Sequence, residues 1–313
     1  MTLLVPTRRV ATLSGLLALA LTGAPLAAQE AVRLNRTVEL LAAGQATFGI
    51  FSHDRSLQNA RMLATSGLDF VFIDMEHAPL EFEQLQVFLL GMTNKRRILE
   101  KGNLQPDVTP IVRIPVNGFD QATWVVKQVL DIGAMGVMFP YINNADEARR
   151  AVQSMRYPQR RGSAISEPQG RRGSGASNAA WLWGVGDYGA RADVWPLNPR
   201  GELMSVIQIE TAEAMRNLDE ILDVPGISAI FVGPADLGLS LGGSAEELEA
   251  AIQRVLAGAK ARNIPIGITT GAGSVEQRVR EGFNFVTVAY GDGGLTPGGT
   301  TTLQRGRAAA GRP

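Results

Sequence analysis

From residue 45 onward, short β-branched or apolar runs alternate with longer stretches of helical period. The runs are TFGIFS (47–52), FVFIDM (70–75), TPIVRIP (109–115), GVMFPYI (136–142), MSVIQIE (204–210), SAIFVGP (228–234), PIGITT (265–270) and NFVTVAY (284–290). Between them lie amphipathic stretches such as SLQNARMLATS (56–66), DQATWVVKQVLDIG (120–133), NADEARRAVQSMR (144–156) and TAEAMRNLDEILDV (211–224). SAEELEAAIQRVLAGAKARN (244–263) opens with Ser244 and Glu247 at capping-box spacing. Strands joined by helical crossovers must be parallel, and eight of them argue for an α/β fold closed as a (β/α)8 barrel. An open doubly wound sheet is the alternative. It is disfavoured because no G-x-G-x-x-G follows a strand and opens a helix.

The rhythm breaks in three places. Residues 1–29 carry a basic start with Arg8 and Arg9, an apolar run from Val10 to Leu21, and small residues at Ala27 and Ala28. That is the pattern of a signal peptide, and it predicts an exported protein, periplasmic or secreted. The run is too short to span a bilayer, so no stable membrane insertion is expected once it is removed. Residues 157–203 form a long Gly-, Pro- and Trp-containing segment in which Trp181, Trp183 and Trp195 favour partial order. Within it, RRGSAISEPQGRRG (160–173) reads either as a mobile loop that meets anionic substrates or as a solvated loop. The end of the chain, 293–313, lacks the apolar period of an eighth helix. The expectation is a barrel over 30–292 whose last helix is missing or shortened, followed by a flexible tail.

Composition narrows the chemistry. Lys plus Arg and Asp plus Glu balance at 30 each, which gives no electrostatic footprint for nucleic acid. The absence of cysteine excludes disulfides, thiol nucleophiles and thiolate metal sites. The four lysines, Lys95, Lys101, Lys127 and Lys260, all fall in polar or helical segments, so none suits Schiff-base chemistry. Only two histidines, His53 and His77, are present, which rules out a His-rich zinc site.

Barrels of this kind work at the carboxyl ends of their strands. There the second run ends in Asp74, Glu76 and His77, and the third carries Arg113. The fifth carries Gln208 and Glu210, and the sixth leads into Asp236. His53, Thr269, Thr270 and Asp292 end the remaining runs and offer less. Gln208 and Glu210 are two apart, so they share a face, and on a buried strand a ligand, a metal or each other must satisfy them. Glu210 with Asp236 makes an all-oxygen pair suited to Mg²⁺, Mn²⁺ or Co²⁺, although either carboxylate could instead cap a helix. His77 reads either as a packed histidine bonded to a neighbour or as the strand-end base, a role that Asp74 and Glu76 beside it favour; Asp131 is another possible partner, although on its own it reads as a surface carboxylate at a helix C-terminus. Arg113 needs an anion, either Asp74 or Glu76 or a developing enolate.

The segments FVFIDMEHAP, PIVRIP, VLDIGAMGVMFPYINNADEARRAVQSMRYPQRRG, SVIQIETAEAMRNLDEILDVPGISAIFVGPADLGLSLG and GITTG resemble the HpcH/HpaI aldolase family over about residues 45–292. The resemblance implies a metal-dependent class II pyruvate aldolase that cleaves or forms 4-hydroxy-2-oxoacids and releases an aldehyde. It implies Glu210 and Asp236 as metal ligands, and Gln208 with the backbone at Ala235 as holders of the pyruvyl group. It makes His77 the acid/base, supported by Asp74 or Asp131, with Arg113 on the enolate oxygen and Glu76 on metal-bound water. Departures are an apparent insertion at 94–107, an extra histidine at His53 and the weak last helix. Because relatives exchange that helix between subunits, a homo-oligomer is left open. Two alternatives stand beside this reading: a lyase acting on a malyl- or citramalyl-CoA thioester, and an exported oxoacid-binding protein without turnover.

Overall fold

Every one of the eight runs forms a strand where its alternation places it. The computed structural model describes residues 32–116 and 123–313, so the signal-peptide expectation lies outside the described residues, as does the start of the 120–133 stretch. The strands are β1 (Thr47–Ser52), β2 (Phe70–Asp74), β3 (Thr109–Arg113), β4 (Gly136–Phe139), β5 (Val194–Trp195), β6 (Leu203–Ile209), β7 (Ala229–Val232), β8 (Ile266–Thr269) and β9 (Phe285–Tyr290). All pairings are parallel, in the order β4-β3-β2-β1-β9-β8-β7-β6-β5, and β4 also pairs with β6. That last pairing closes eight strands into a barrel and leaves β5 as a two-residue addition beside β6.

Period-two alternation divides the strand residues between two cores. Phe70, Phe72, Ile111, Met138, Met204, Val206, Phe231 and Phe285 fill the barrel, and Val38 and Leu41 from helix Arg36–Ala42 join them. Val71, Ile73, Val112, Val137, Ile207 and Ile230 instead pack outward in the core shared with the helices. The barrel filling is aromatic: the Phe70 and Phe285 ring centres lie 4.3 Å apart, and Phe72 meets Phe231 edge-on at 5.4 Å. Gly49 on β1 makes room for this, because a Cβ there would come within 2.3 Å of the Phe70 ring.

The crossover helices start where capping residues allow. Ser56, Asn144 and Thr211 each accept a backbone N–H from the first turn, and Ser244 with Glu247 forms the expected capping box. The 211–224 stretch is split into Ala212–Arg216 and Leu218–Leu222. The insertion at 94–107 holds a short helix, Lys95–Lys101, tied down by Asp107 to both Arg97 and Lys101. Among the described residues, no helix is long and apolar enough to cross a membrane.

The chain end corrects the sequence expectation. Pro297–Ala309 is a helix, capped by Thr296 and buried at Gly299, Thr302, Leu303 and Gly306. The segment is rich in glycine and threonine, so propensity and hydrophobic period both understate it. Its glycines serve packing: a Cβ on Gly306 would sit 2.6 Å from Phe48. Arg312 then anchors the end to the buried Asp69 carboxylate at 2.6 and 3.0 Å. The 160–173 segment is pinned as well. Fully buried Arg156 binds Asp193 and the carbonyls of Ile165 and Pro168, and buried Arg172 binds Asp131 at 2.6 Å.

Candidate active site

The alternation that fills the barrel also builds its polar rim. On β2 the inward column is Phe70, Phe72, then Asp74; on β3 it is Ile111, then Arg113. On β6 it is Met204, Val206 and Gln208, continued by Glu210, and on β1 Phe51 is followed two residues later by His53. Charged groups therefore stand on an aromatic floor at the carboxyl ends of the strands, and Arg113 lies 4.6 Å over the Phe51 ring.

One half of the rim centres on Asp74. This fully buried carboxylate is the register partner of Arg113. Its Oδ1 accepts from Arg113 Nε at 3.1 Å and from the backbone N–H of Glu76 at 2.9 Å, and its Oδ2 pairs with Arg113 Nη2. Burial alone would raise the Asp74 carboxyl; the Arg113 bond and charge and the two backbone N–H groups outweigh it and hold it below the usual range. Arg113 Nη1 also reaches Glu76 Oε2 at 3.1 Å, so the anion it requires is both Asp74 and Glu76. His77 is more than half exposed, with Nε2 3.6 Å from Glu76 Oε2. Asp74 bonds the His77 backbone rather than its ring. The ring beside Asp74 is that of His53, whose Nε2 lies 3.2 Å from Oδ2.

The other half centres on Glu210. Its Oε1 accepts the backbone N–H of Tyr141 at 2.8 Å, and its Oε2 accepts from Gln208 Nε2. Gln208 Oε1 is buried and has no partner among the described residues. Gly233 stands against both side chains: a Cβ there would lie 2.6 Å from Glu210 Oε2 and 2.8 Å from Gln208 Nε2. The helix that follows, Pro234–Leu241, has no side-chain cap, which leaves the N–H groups near Ala235 and Asp236 open to an anion. Asp236 has neither hydrogen bond nor ion pair among the described residues, yet its charge bears on Glu76 and Glu210. Burial first, then the neighbouring carboxylates, push Glu76 and Glu210 each up to about 7, against the pull of Arg113.

The chemistry of this set fits a divalent cation. Among the described residues, Arg113 pairs with Asp74 and Glu76, while Glu210 and Asp236 make no ion pair. Among the described residues, no three His, Cys, Asp or Glu side chains converge at ligand distance. Two carboxylates with open positions for water and substrate suit a hard cation, and the orphaned Gln208 oxygen beside them calls for a donor or a positive charge.

Asp131 does not join the rim within the chain. It sits near the end of helix Thr123–Ile132 and binds Arg172 beside Tyr188. A crossover helix runs antiparallel to its strands, so its last turn lies toward the opposite end of the barrel from the strand carboxyl ends. Two groups are better placed than the sequence suggested: His53 and Asp292 meet at the β1–β9 junction, Nδ1 to Oδ2 at 3.2 Å. Their only signal was position, each just after a strand. Tyr141 also contributes, through a backbone N–H with φ of +54° that no side-chain pattern announces.

Comparison with known proteins matches this architecture. Residues 47–296 match the family model described as HpcH/HpaI aldolase/citrate lyase. A hydroxypyruvate/pyruvate aldolase of Roseobacter denitrificans is 30% identical over 266 residues, covering 82% of this chain and 91% of its own. A 2-keto-3-deoxy-L-rhamnonate aldolase of Escherichia coli is 34% identical over 267 residues, covering 82% and 88%. Among solved structures, an HpcH/HpaI aldolase/citrate lyase family protein from Burkholderia cenocepacia superposes with a TM-score of 0.68 at 30% identity, covering 82% of this chain and 93% of that one. With its closed parallel barrel and carboxylate-rich rim, the chain belongs to the HpcH/HpaI aldolase/citrate lyase family, as an enzyme of the aldolase and lyase class.

Proposed function

We propose that the protein is a class II pyruvate aldolase acting on 4-hydroxy-2-oxoacids. The observation that carries this reading is the excess of carboxylate at the rim: Glu210 and Asp236 stand beside an Arg113 already shared by Asp74 and Glu76. Glu210 and Asp236 would hold a divalent cation, Mg²⁺, Mn²⁺ or Co²⁺, with Glu76 on its water. When bound, it supplies Lewis-acid polarisation of the 2-oxo group. Gln208 and the open N–H groups near Ala235 bind the substrate carboxylate and orient the 2-oxo group. His77, exposed to the mouth, takes the proton from the 4-hydroxyl. The C3–C4 bond then breaks, C4 leaves as an aldehyde, and its electron pair enters the pyruvate enolate. Arg113 meets the charge that develops on the enolate oxygen. C3 finally takes a proton to give pyruvate.

The relatives act on pyruvate, hydroxypyruvate or a 2-keto-3-deoxy sugar acid by name, and this supports an oxoacid–aldehyde pair as substrate class. The test is pyruvate release from 4-hydroxy-2-oxoacids, with divalent cation and after EDTA. Cation-dependent release is expected, and release undiminished after complete cation removal would defeat the reading. We further propose that residues 1–29 direct export. A mature N-terminus near residue 30, measured by mass spectrometry on the cell envelope fraction, would support this, and an intact Met1 in the cytosol would refute it.

A further inference from the structure

His53 is unclaimed by the chemistry above, yet its ring stands between two carboxylates of the rim. Nδ1 lies 3.2 Å from Asp292 Oδ2, and Nε2 lies 3.2 Å from Asp74 Oδ2. Tyr290 on β9 lies parallel to the ring, 3° from its plane, with centres 5.7 Å apart. Asp292 is committed to this residue twice over. Its Oδ1 accepts the backbone N–H of His53 at 2.7 Å and that of Asp54 at 3.0 Å, while Oδ2 meets the ring. These contacts fix where the imidazole can sit. The oxygen that faces Nε2 is the one that Arg113 Nη2 grips from the other side.

We propose that His53 is a positioning residue for the reaction: held by Asp292, it shares the Asp74 carboxylate with Arg113 and so sets how much of the guanidinium charge is left for the substrate. A neutral imidazole has one N–H; the protonated ring has two, with Nδ1 in hydrogen-bond geometry to Asp292 and Nε2 within ion-pair distance of Asp74. In the protonated state Asp74 is balanced by two cations, and Arg113 keeps more charge for the enolate oxygen. Once the ring loses its proton, Arg113 alone neutralises Asp74. Among the described residues, the charged and titratable groups around the ring are Asp74 on β2, Arg113 behind it on β3, Asp292 and Tyr290 at the end of β9, and Asp54 and Arg55 on its own loop. Arg55 binds the Asp74 carbonyl at 3.0 Å, not its carboxylate. Because Asp74 is already anchored by Arg113 and by two backbone N–H groups, the ring tunes its charge rather than holding it in place.

This inference rests on the aldolase reading, and its test separates the two. Exchange of the pyruvate methyl protons into D₂O is followed by NMR in Mn²⁺- or Mg²⁺-loaded enzyme across pH, for wild type and His53→Gln. The expected result is a drop of about tenfold in the maximal exchange rate of His53→Gln with the pyruvate KM changed less than about twofold. A fall in rate with rising pH should be present in wild type and absent in His53→Gln. An unchanged rate and an unchanged pH profile in His53→Gln would overturn the proposal, and so would a change confined to KM. If wild type shows no exchange with any cation, the aldolase reading itself fails and takes this one with it. A second readout needs no activity. Because the chain has two histidines, ¹⁵N-labelled His77→Gln protein reports His53 alone. A protected Nδ1–H resonance that disappears in Asp292→Asn is expected, and a ring signal indifferent to Asp292 would show that the bracket does not exist in solution.

Discussion

Asp74 and Arg113 are register partners on adjacent parallel strands, and the guanidinium reaches both oxygens of the carboxylate. The pair is buried at the top of the inward columns, so removing Asp74 strips the guanidinium of its closest anion and leaves it Glu76 alone. Asp74→Ala should cost about 3–5 kcal/mol in urea unfolding, and Asp74→Asn less because it keeps a hydrogen-bonding shape. The Asp74 carboxyl is held below its ordinary value of 3.8, so its stabilisation is present above that pH and is lost as pH falls through the folded value. The stability gap between wild type and Asp74→Asn should therefore narrow as the solution is acidified below pH ~4.

Glu76 and Glu210 behave in the opposite sense. Their carboxyls are raised from 4.5 to about 7, so the cation-free folded state binds more protons than the unfolded chain across that interval. Stability of the EDTA-treated protein should fall as pH rises from 4.5 to 7, by a few degrees in melting temperature. Added Mn²⁺ should stabilise more at the upper end, where it no longer competes with protons. Calorimetry at pH ~5 and ~8 with and without the ion checks both points. A flat profile without the ion would contradict the burial and mutual repulsion assigned to this pair.

The last helix is part of the barrel wall. Leu303 is only 5% exposed, and Leu303→Ala should cost about 2–4 kcal/mol in chemical unfolding. Removal of 297–313 should lower the melting point by more than ~10 °C, since it uncovers Phe48 and strips Arg312 from the buried Asp69. A truncated chain that melts with wild type would mean that the segment behaves as the flexible tail its composition suggested.

That helix marks the limit of what the sequence makes legible. The barrel follows from eight apolar runs, and the rim follows from the polar residues that end them, because period two carries an inward column from Phe72 to Asp74 and from Val206 to Gln208. What the pattern cannot carry is choice among partners. Asp74 could have supported His77, but only three dimensions reveal that its second oxygen faces His53. Asp131 lies close to the rim residues along the chain, yet the antiparallel run of its helix takes it away. The Gly- and Thr-rich helix at 297–309 is stabilised by close packing on Phe48, a contact that leaves no apolar period to read.

Within the chain, Asp131 has a structural task. Its carboxylate bonds Arg172, whose side chain is fully buried with Nε and Nη1 unpartnered among the described residues. Asp131→Ala should destabilise the fold by about 3 kcal/mol, measured in urea, because the guanidinium keeps only Tyr188 and the Tyr157 ring. A variant as stable as wild type would remove that role.

The central claim is that Glu210 and Asp236 hold a divalent cation that lets the rim enolise a 2-oxoacid. Its most direct measurement is methyl exchange of pyruvate in D₂O by Mn²⁺-loaded protein, beside EDTA-treated protein and the variants Glu210→Gln and Asp236→Asn. The account predicts exchange in the loaded wild type and a loss of at least about a hundredfold in the other three samples. Exchange that continues undiminished without the ion, or in both carboxylate variants, would contradict it.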